Sequence, residues 1–246
     1  MLHIQRTQIL RLKTALFFIA LFTSVSSFAQ TEMFLEEHDR KPYYFGISLG
    51  FNRAFFHTSL DPAFLAQEPD SIFTAESLNS SGFHLGLSAT AKLSQRFELR
   101  FNPQLIFLDR IIEYKLNPEY PNLDGQLIDK KVESVITTFP LQVKFLSDRI
   151  GNFRMYMLGG GKVDLDLASN AKARKAEDMI KIERMDYGIE AGVGFNFYHK
   201  SFILSPEIKI SNGLRNLHSR NESLNYSRVL GDIHSRMVMF TIHLEG

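Results

Sequence analysis

The feature that most constrains the fold of this chain is a strict alternation of apolar residues with small or polar ones, which recurs in eight segments. In the first, residues 43–52 (YYFGISLGFN), every odd-numbered position is aromatic or aliphatic, and the even-numbered positions hold a tyrosine, two glycines, a serine and an asparagine. Successive side chains of a β-strand point to opposite faces, so this pattern predicts a strand with one apolar face. The same pattern predicts seven further strands at 83–93, 97–107, 134–145, 153–164, 185–197, 202–211 and 237–244.

The connections between these predicted strands alternate between short and long. The tight ones are 93–96, 147–152 and 198–201, and the long ones are roughly 53–82, 108–133, 165–184 and 212–235. This alternation is typical of a transmembrane barrel with short periplasmic turns and long extracellular loops. We therefore predict an all-β fold: an eight-stranded antiparallel up-and-down transmembrane β-barrel in contact with outer-membrane lipid. A soluble β-sandwich with a polar outer face is the alternative.

The face opposite the apolar one carries ionisable side chains in several predicted strands. They are Glu98, Arg100, Lys144, Arg154, Lys162, Asp164, Glu190, Glu207 and Lys209. Unpaired charges are costly to bury in the dry core of a soluble protein, whereas the lumen of a transmembrane barrel is polar. The interior of an eight-stranded barrel is just wide enough for side chains to fill. We therefore predict a lumen network of charged side chains that fixes the strand register and leaves no open pore, with Lys162 paired to Glu190 or Glu207.

Aromatic residues cluster at the turn-side ends of the predicted strands, where a membrane-interface girdle is expected. This predicted girdle comprises Tyr43, Tyr44, Phe45, Phe97, Phe145, Phe153, Phe195, Phe197, Tyr198 and Phe202.

A run of three glycines before a lysine, in MYMLGGGKVDLDL (155–167), raises the question of a phosphate-binding loop. Such a loop requires G-x-x-x-x-G-K-[ST], but Tyr156 replaces the first glycine and Val163 replaces the hydroxyl residue. The run instead fits the middle of the fifth strand, with Gly159 and Gly161 facing lipid and Lys162 facing the lumen. Glycines at such positions indicate a bend, or space for large neighbouring side chains.

The first thirty residues have the pattern of a secretory signal peptide. Three basic residues precede the apolar run ALFFIALF (15–22), and Ser27-Phe28-Ala29 places small residues at −3 and −1 of a cleavage site. The apolar run is too short for a membrane span. We predict a signal peptide at 1–29, a periplasmic N-terminal segment at 30–42 and an outer-membrane barrel at 43–246.

Composition excludes several other classes of function. The chain has no cysteine, so disulfides and thiolate sites are ruled out. Without the three basic residues of the predicted signal, 25 of the 28 basic residues remain against 27 acidic ones. A net charge of about −2 gives no electrostatic footprint for nucleic acid.

Two candidate chemical sites are weak. His57, Ser59 and Asp61 in HTSLD could suggest a triad at the rim, but triad members are neighbours in space rather than in sequence, and an ordinary polar loop is the simpler interpretation. Six of the eight histidines, at positions 57, 84, 199, 218, 234 and 243, are the candidates for metal ligands, and they show no metal-binding spacing. We predict no catalytic residue, no cofactor and no metal.

Residues 169–182 are rich in helix formers after a possible Asn170 cap, and either a short helix or a solvated charged loop fits them.

As a whole, the chain resembles the PorT family of Bacteroidetes outer-membrane barrels, which is linked to the type IX secretion system. The resemblance rests on YYFGISLGFN, FELRFNPQLIF, FPLQVKFLSDRIGNFRMYMLGGGK, DLASNAKARKAEDMI, RMDYGIEAGVGF and SPEIKISNGLRN. It implies a non-enzymatic component required for the export or maturation of cargo proteins, with protein partners in a secretion machine. A generic small outer-membrane barrel with an adhesive or structural role is the alternative, and a lipid-modifying enzyme active at the rim is a third hypothesis.

Overall fold

The computed structural model of this chain describes residues 32–60, 72–116, 127–168, 182–218 and 230–246. The predicted signal peptide and nearly all of the predicted helix or charged loop at 169–182 lie outside them. The elements are α1 (Glu36–Arg40), β1 (Tyr43–Leu60), β2 (Ile72–Leu78), β3 (Ser80–Lys92), β4 (Phe97–Phe101), β5 (Gln104–Leu116), β6 (Leu127–Leu146), β7 (Phe153–Asp166), β8 (Met185–Tyr198), β9 (Ile203–Gly213) and β10 (Leu230–Glu245). Within these residues no helix is both long and apolar enough to cross a membrane.

The strands form one antiparallel sheet that closes on itself. β1 pairs with β10, where Gly46 lies opposite Glu245, and on its other side with β3, where Tyr43 lies opposite Ala91. β2 continues into β3 and β4 into β5, so the ring has eight strands in the order of the sequence. The predicted eight-stranded up-and-down barrel is confirmed.

Two ring strands are interrupted for different reasons. Between β4 and β5 the break is at Asn102 and Pro103, and the pairing with β3 and β6 keeps the same register on both sides of it. Proline has no N–H to donate, so it interrupts the ladder without displacing the strand. Between β2 and β3, around Asn79, the register with β5 shifts by one residue, as in a β-bulge.

Below the level of Arg53, the barrel has an apolar outside and a polar inside. On β1 the outward side chains from Tyr43 to Phe51 are all apolar and exposed, and the next outward residue is Arg53. Eight steps of about 3.3 Å give a length of roughly 26 Å along the strand, which is comparable with the ~25 Å apolar band of outer-membrane barrels.

Above that level the polarity of the barrel wall is inverted. Outward positions such as Arg53 and His57 are polar and exposed, whereas inward positions become apolar and buried. A cluster of buried, inward apolar side chains begins just below this level and continues above it. We call it the upper core, and its members are Ala54, Phe56, Ile106, Leu108, Ile112, Tyr114, Ile136, Ile233, Met237 and Met239. The top of the barrel is therefore built like a water-soluble one.

The long loops are shorter than predicted because several strands continue into this upper part. The predicted loops 53–82 and 108–133 are largely strand, and β10 begins within the predicted loop 212–235. We call residues 53–60, 72–78, 109–116, 127–133 and 230–235 the upper extension. On the other side of the ring, β7 ends at Asp166, β8 begins at Met185 and β9 ends at Gly213, so one flank is taller.

The predicted aromatic girdle is correct for eight of its ten members, which lie on the outward face near the tight turns. Tyr44 and Tyr198 are the exceptions, because both point inward and are buried. Strand parity decides this: Tyr44 lies between the outward residues Tyr43 and Phe45, and its hydroxyl donates to Glu98 at 2.7 Å.

The three glycines lie within β7, as predicted. A Cβ added to Gly159 or Gly161 would lie 3.8–3.9 Å from its nearest neighbour, at an exposed, lipid-facing position. At the inward-facing Gly160 it would lie 2.2 Å from the carbonyl oxygen of Leu141. On β8, a Cβ at Gly194 would overlap the ring of Tyr156, so inward glycines do make room for large lumen side chains.

Candidate functional site

A buried ion pair between Arg100 and Glu207 lies at the centre of the lumen. Nη2 of Arg100 is 2.5 Å from Oε2 of Glu207, and neither side chain has exposed surface. Their strands, β4 and β9, are four positions apart in the ring of eight, so the pair bridges opposite walls. Arg100 Nε also donates to Gln142 Oε1 at 2.6 Å. The Tyr156 hydroxyl donates to Glu207 Oε2 at 2.8 Å, and His243 Nε2 is 3.5 Å from the same oxygen.

Closer to the tight turns, a second pair joins Lys144 and Glu98. Their charged atoms are 3.2 Å apart, and both side chains are buried. The Tyr44 hydroxyl donates to Glu98 and accepts from Lys144 Nζ at 3.2 Å. The ammonium group also lies 4.4 Å from the centre of the Tyr156 ring, which favours a cation at this point. This pair is therefore connected to the central one through Tyr156.

Two further pairs complete the network. Lys209 Nζ is 3.3 Å from Glu190 Oε2, and the Gln142 amide donates to the other oxygen of Glu190. Lys162 faces the lumen, as predicted, but its partner is Asp164 on the same strand. The predicted pairing of Lys162 with Glu190 or Glu207 is wrong. Lys162 lies opposite Gly188 on β8, which is one inward position above Glu190. Glu207 is further away still, because it lies opposite Gly194.

The structure places eight of the nine predicted lumen charges inside the barrel. The ninth, Arg154, lies near the start of β7, and its guanidinium donates to the carbonyl oxygens of Ser147 (2.8 Å) and Gln95 (2.6 Å) at the tight turns. A position so close to the strand end lets a long side chain leave the lumen. Sequence reasoning missed Tyr44, Tyr156, Gln142 and His243 as members of the network, although their strand parity could have identified them.

The network gives the lumen a defined chemical character. Side chains from opposite walls meet at successive levels, and Arg100, Lys144 and Lys209 are among the largest fully buried side chains of the described residues. Removal of one partner of a buried pair leaves an uncompensated charge in a low-dielectric interior. We infer that these pairs favour one strand register over its alternatives.

The tight-turn end of the barrel is covered by residues 34–41, which we call the N-terminal cap. The His38 ring lies 4.5 Å from the Tyr44 ring, and Lys92 Nζ donates to the His38 carbonyl oxygen. On the other side, Arg149 Nη1 is 2.9 Å from Asp39 Oδ2. Arg149 also donates to the carbonyl oxygen of Phe34, so this one guanidinium holds both ends of the cap.

His38 is buried beneath the cap, and its environment favours the neutral imidazole. Burial, followed by the neighbouring Lys92 charge, lowers the pKa of His38 from 6.5 to about 4. Its Nδ1 atom is 3.5 Å from Lys92 Nζ, and an ammonium group can only donate, so Nδ1 is the acceptor. Docking of the cap therefore depends on a histidine without charge.

At the opposite end of the lumen, three aspartates line a cavity of about 10 Å³. Asp164, Asp166 and Asp186 surround it together with Arg110, whose Nη2 donates to Ser235 Oγ at 3.1 Å. This volume is about that of a single water molecule. Among the described residues, no group of three or more His, Cys, Asp or Glu side chains is arranged to hold a metal ion.

The possible triad in HTSLD is not assembled by the residues that can be located. His57 and Ser59 lie on the outward face of β1 in the upper extension, rather than in the polar loop we predicted, and Asp61 lies outside the described residues. Ser59 Oγ accepts the N–H of Asp232 at 3.0 Å and is 3.5 Å from its carboxylate. His57 lies opposite His234 on β10. The serine is thus bonded to Asp232.

Comparison with known proteins gives one family match. Residues 28–219, more than three-quarters of the chain, match the family described as outer membrane protein beta-barrel domain. No curated protein matches the chain significantly. Similar solved structures include Neisserial surface protein A (11% identity, 81% of this chain, 95% of that one, TM-score 0.43) and OprG from Pseudomonas aeruginosa (14%, 83%, 95%, 0.46). The attachment invasion locus protein Ail of Yersinia pestis is another (12%, 84%, 100%, 0.38).

Proposed function

This chain belongs to the family of outer membrane protein β-barrel domains, and on that premise we propose that it is a non-enzymatic surface protein that acts through contacts made above the membrane. The protein lies in the outer membrane as a closed barrel. The single observation that carries the proposal is the upper extension, a folded wall with its own apolar core beyond the lipid-facing band.

A folded wall is better suited to binding proteins than a mobile loop. From Arg53 to Leu60, β1 rises roughly 23 Å along the strand. Its backbone is held on one side by β10, and its inward Phe56 is buried against the guanidinium of Arg110, 4.6 Å from the ring centre. Rigid presentation reduces the entropy lost on association. The outward polar residues, such as His57, are thereby held in fixed positions.

A truncation tests this role. In a deletion strain, the wild-type gene is compared with a variant in which residues 111–131 are replaced by a two-residue turn, which leaves the Arg110–Val132 pair to close the hairpin. We expect both proteins to fold and insert, but only the wild type to restore adhesion of cells to protein-coated surfaces. Full restoration by the truncated barrel would contradict the proposal.

A site-specific photo-crosslinker gives an independent readout. Placed at Lys115, which is exposed at the top of β5, it is expected to form adducts with proteins. Placed at Leu99, on the lipid-facing side of β4, it is expected to give lipid adducts only. Equal protein adducts at both positions would count against contacts confined to the upper extension.

We further propose that the barrel does not conduct. The support is the set of buried pairs that cross the lumen, above all Arg100 with Glu207. In a planar bilayer the purified protein is expected to show no steady openings on the nanosiemens scale, and regular openings would overturn this part of the proposal. We also propose that no catalysis occurs at Ser59, so a H57A/S59A variant should keep every phenotype of the wild type.

A role in type IX secretion is the second candidate, supported by the resemblance of two specific stretches. One, residues 169–182, lies almost wholly outside the described residues. In the other, Ser205–Leu214, the inward residues Glu207 and Lys209 belong to the lumen network. The packing of the lumen therefore requires particular residues in this stretch. Cargo export in the deletion strain decides the matter: normal export would exclude the secretion role.

A further inference from the structure

A groove of about 430 Å³ lies on the outward surface across the neighbouring strands β3, β1 and β10, and Ile208 on β9 also lines it. Its walls are apolar and include the rings of Phe51 and Phe240, which lie opposite each other on β1 and β10. One outward row above the rings, Ser81 on β3 and Val238 on β10 flank Arg53, and their small side chains leave space there. The groove lies at the upper limit of the lipid-facing band, so it opens toward acyl chains.

The upper rim of this groove is cationic. Arg53 lies opposite Val238, and Arg236 lies opposite Phe55, which makes the two arginines diagonal neighbours on adjacent strands. Diagonal outward side chains of this kind are within reach of a common ligand. Both are exposed, and among the described residues neither guanidinium has an ion pair or hydrogen bond.

Nearby acidic groups do not neutralise this rim. Asp232, further up β10, accepts from the Asn216 amide at 2.5 Å, and its own N–H donates to Ser59 Oγ at 3.0 Å. Arg53 on β1 lies opposite Ser81 on β3. The outward residue of β5 next to Ser81 is Asp109, so this carboxylate is two strands away from Arg53. An anion at this height is therefore attracted to the two arginines on the β1–β10 side.

A ligand that matches both parts must combine an anionic head with an apolar tail. Guanidinium groups bind phosphate oxygens in a bidentate geometry, and basic residues at a membrane surface attract anionic lipids. The long-loop end of an outer-membrane barrel faces the exterior of the cell, so the arginine rim is level with the head groups of the outer leaflet. We propose that Arg53 and Arg236 bind the phosphate of a phosphorylated outer-leaflet lipid, with an acyl chain in the groove lined by Phe51, Phe240 and Val238.

The test measures binding of diphosphorylated lipid A to the full-length protein in neutral detergent by native mass spectrometry. We expect one tightly bound lipid on the wild type and a roughly 25-fold weaker affinity in R53Q/R236Q, about a factor of five for each arginine lost. The control K115Q/R184Q removes the same number of exposed positive charges elsewhere and should bind like the wild type.

Two further arms separate a lipid site from simple anion binding. Ser81→Trp fills the groove and keeps both arginines, so it should weaken lipid binding, and 10 mM inorganic phosphate should not displace the lipid. Folding of each variant is checked by its heat-dependent shift in gel mobility. Equal affinity of the wild type and R53Q/R236Q, equal binding of dephosphorylated lipid A, or full displacement by inorganic phosphate would each overturn the proposal.

Discussion

Arg100 and Glu207 come from diametrically opposite strands, and their charged groups meet at 2.5 Å in the middle of the barrel with no exposed surface. They therefore connect the two walls at a point where neither side chain is exposed. The pair differs from the exposed Arg96–Asp148 pair, whose two side chains are more than half exposed at a tight turn. Comparing the two pairs tests how much burial changes the contribution of an ion pair to stability.

Glu207→Gln should destabilise the barrel by about 3–5 kcal/mol, because it leaves the Arg100 charge buried without a counter-charge. Asp148→Asn should cost about 0–1 kcal/mol, as is usual for exposed pairs. Urea unfolding in detergent micelles measures both. If R100M/E207M is as unstable as E207Q, an uncompensated charge is not the cause.

Docking of the N-terminal cap should weaken in acid. The pKa of His38 is about 4 when docked and 6.5 when free, so the released cap binds a proton that the docked cap excludes. Docking is fully supported above about pH 6.5 and is lost progressively as the pH falls toward 4. The chain has no cysteine, so a spin label at Glu37→Cys reports cap mobility directly.

We expect that label to be immobile at pH 7 and increasingly mobile at pH 5. The same label in a His38→Gln background should show little change between the two pH values, because the glutamine does not titrate. An identical pH response in the two backgrounds would assign the effect to another group.

Two adjacent glycines should respond differently to the same substitution. Gly160→Ala places a methyl group 2.2 Å from the Leu141 carbonyl oxygen, so we expect a loss of about 1–3 kcal/mol or failure to fold. Gly159→Ala meets nothing closer than 3.9 Å and should be neutral or slightly stabilising, because it restricts the unfolded chain. Folded fraction and urea midpoint measure both, and equal effects would show that the strand tolerates a bulge here.

The inverted polarity of the upper extension also gives neighbouring residues opposite sensitivities. Ile112 is fully buried in the upper core, whereas Ile111 is half-buried on the outward face. Ile112→Asn should make the extension sensitive to added protease on intact cells, and Ile111→Asn should not. If both variants resist protease equally, the upper core does not stabilise the extension.

The alternating pattern was enough to predict the barrel and the direction of almost every charge, including Lys162. It failed to identify the ion-pair partners. These depend on the register between strands, and the residue pattern within one strand gives no information about that register. The pattern also failed to predict the strands above Arg53, because there the buried apolar residues occupy the inward-facing positions instead of the outward-facing ones. Phe56 and Ile112 therefore did not extend the pattern that Phe51 and Phe107 had defined.

The position of the N-terminal cap also depended on contacts that are distant in sequence. Residues 30–42 were predicted only to be periplasmic, because Arg149 and Lys92 are far from them along the chain. Arg149 was not among the candidate charges, since it lies in a tight turn rather than in a strand. A turn arginine beside an aromatic strand end is a weak signal without the fold.

The contacts of the cap have a consequence for the order of assembly. Phe34 bonds to Asn152 and Arg149, which are 118 and 115 residues further along the chain, in the turn between β6 and β7. Arg149 in turn stacks on Tyr198 at the end of β8. The binding surface for the cap is complete only when β8 is in place, so a segment that precedes every strand along the chain docks after most of them.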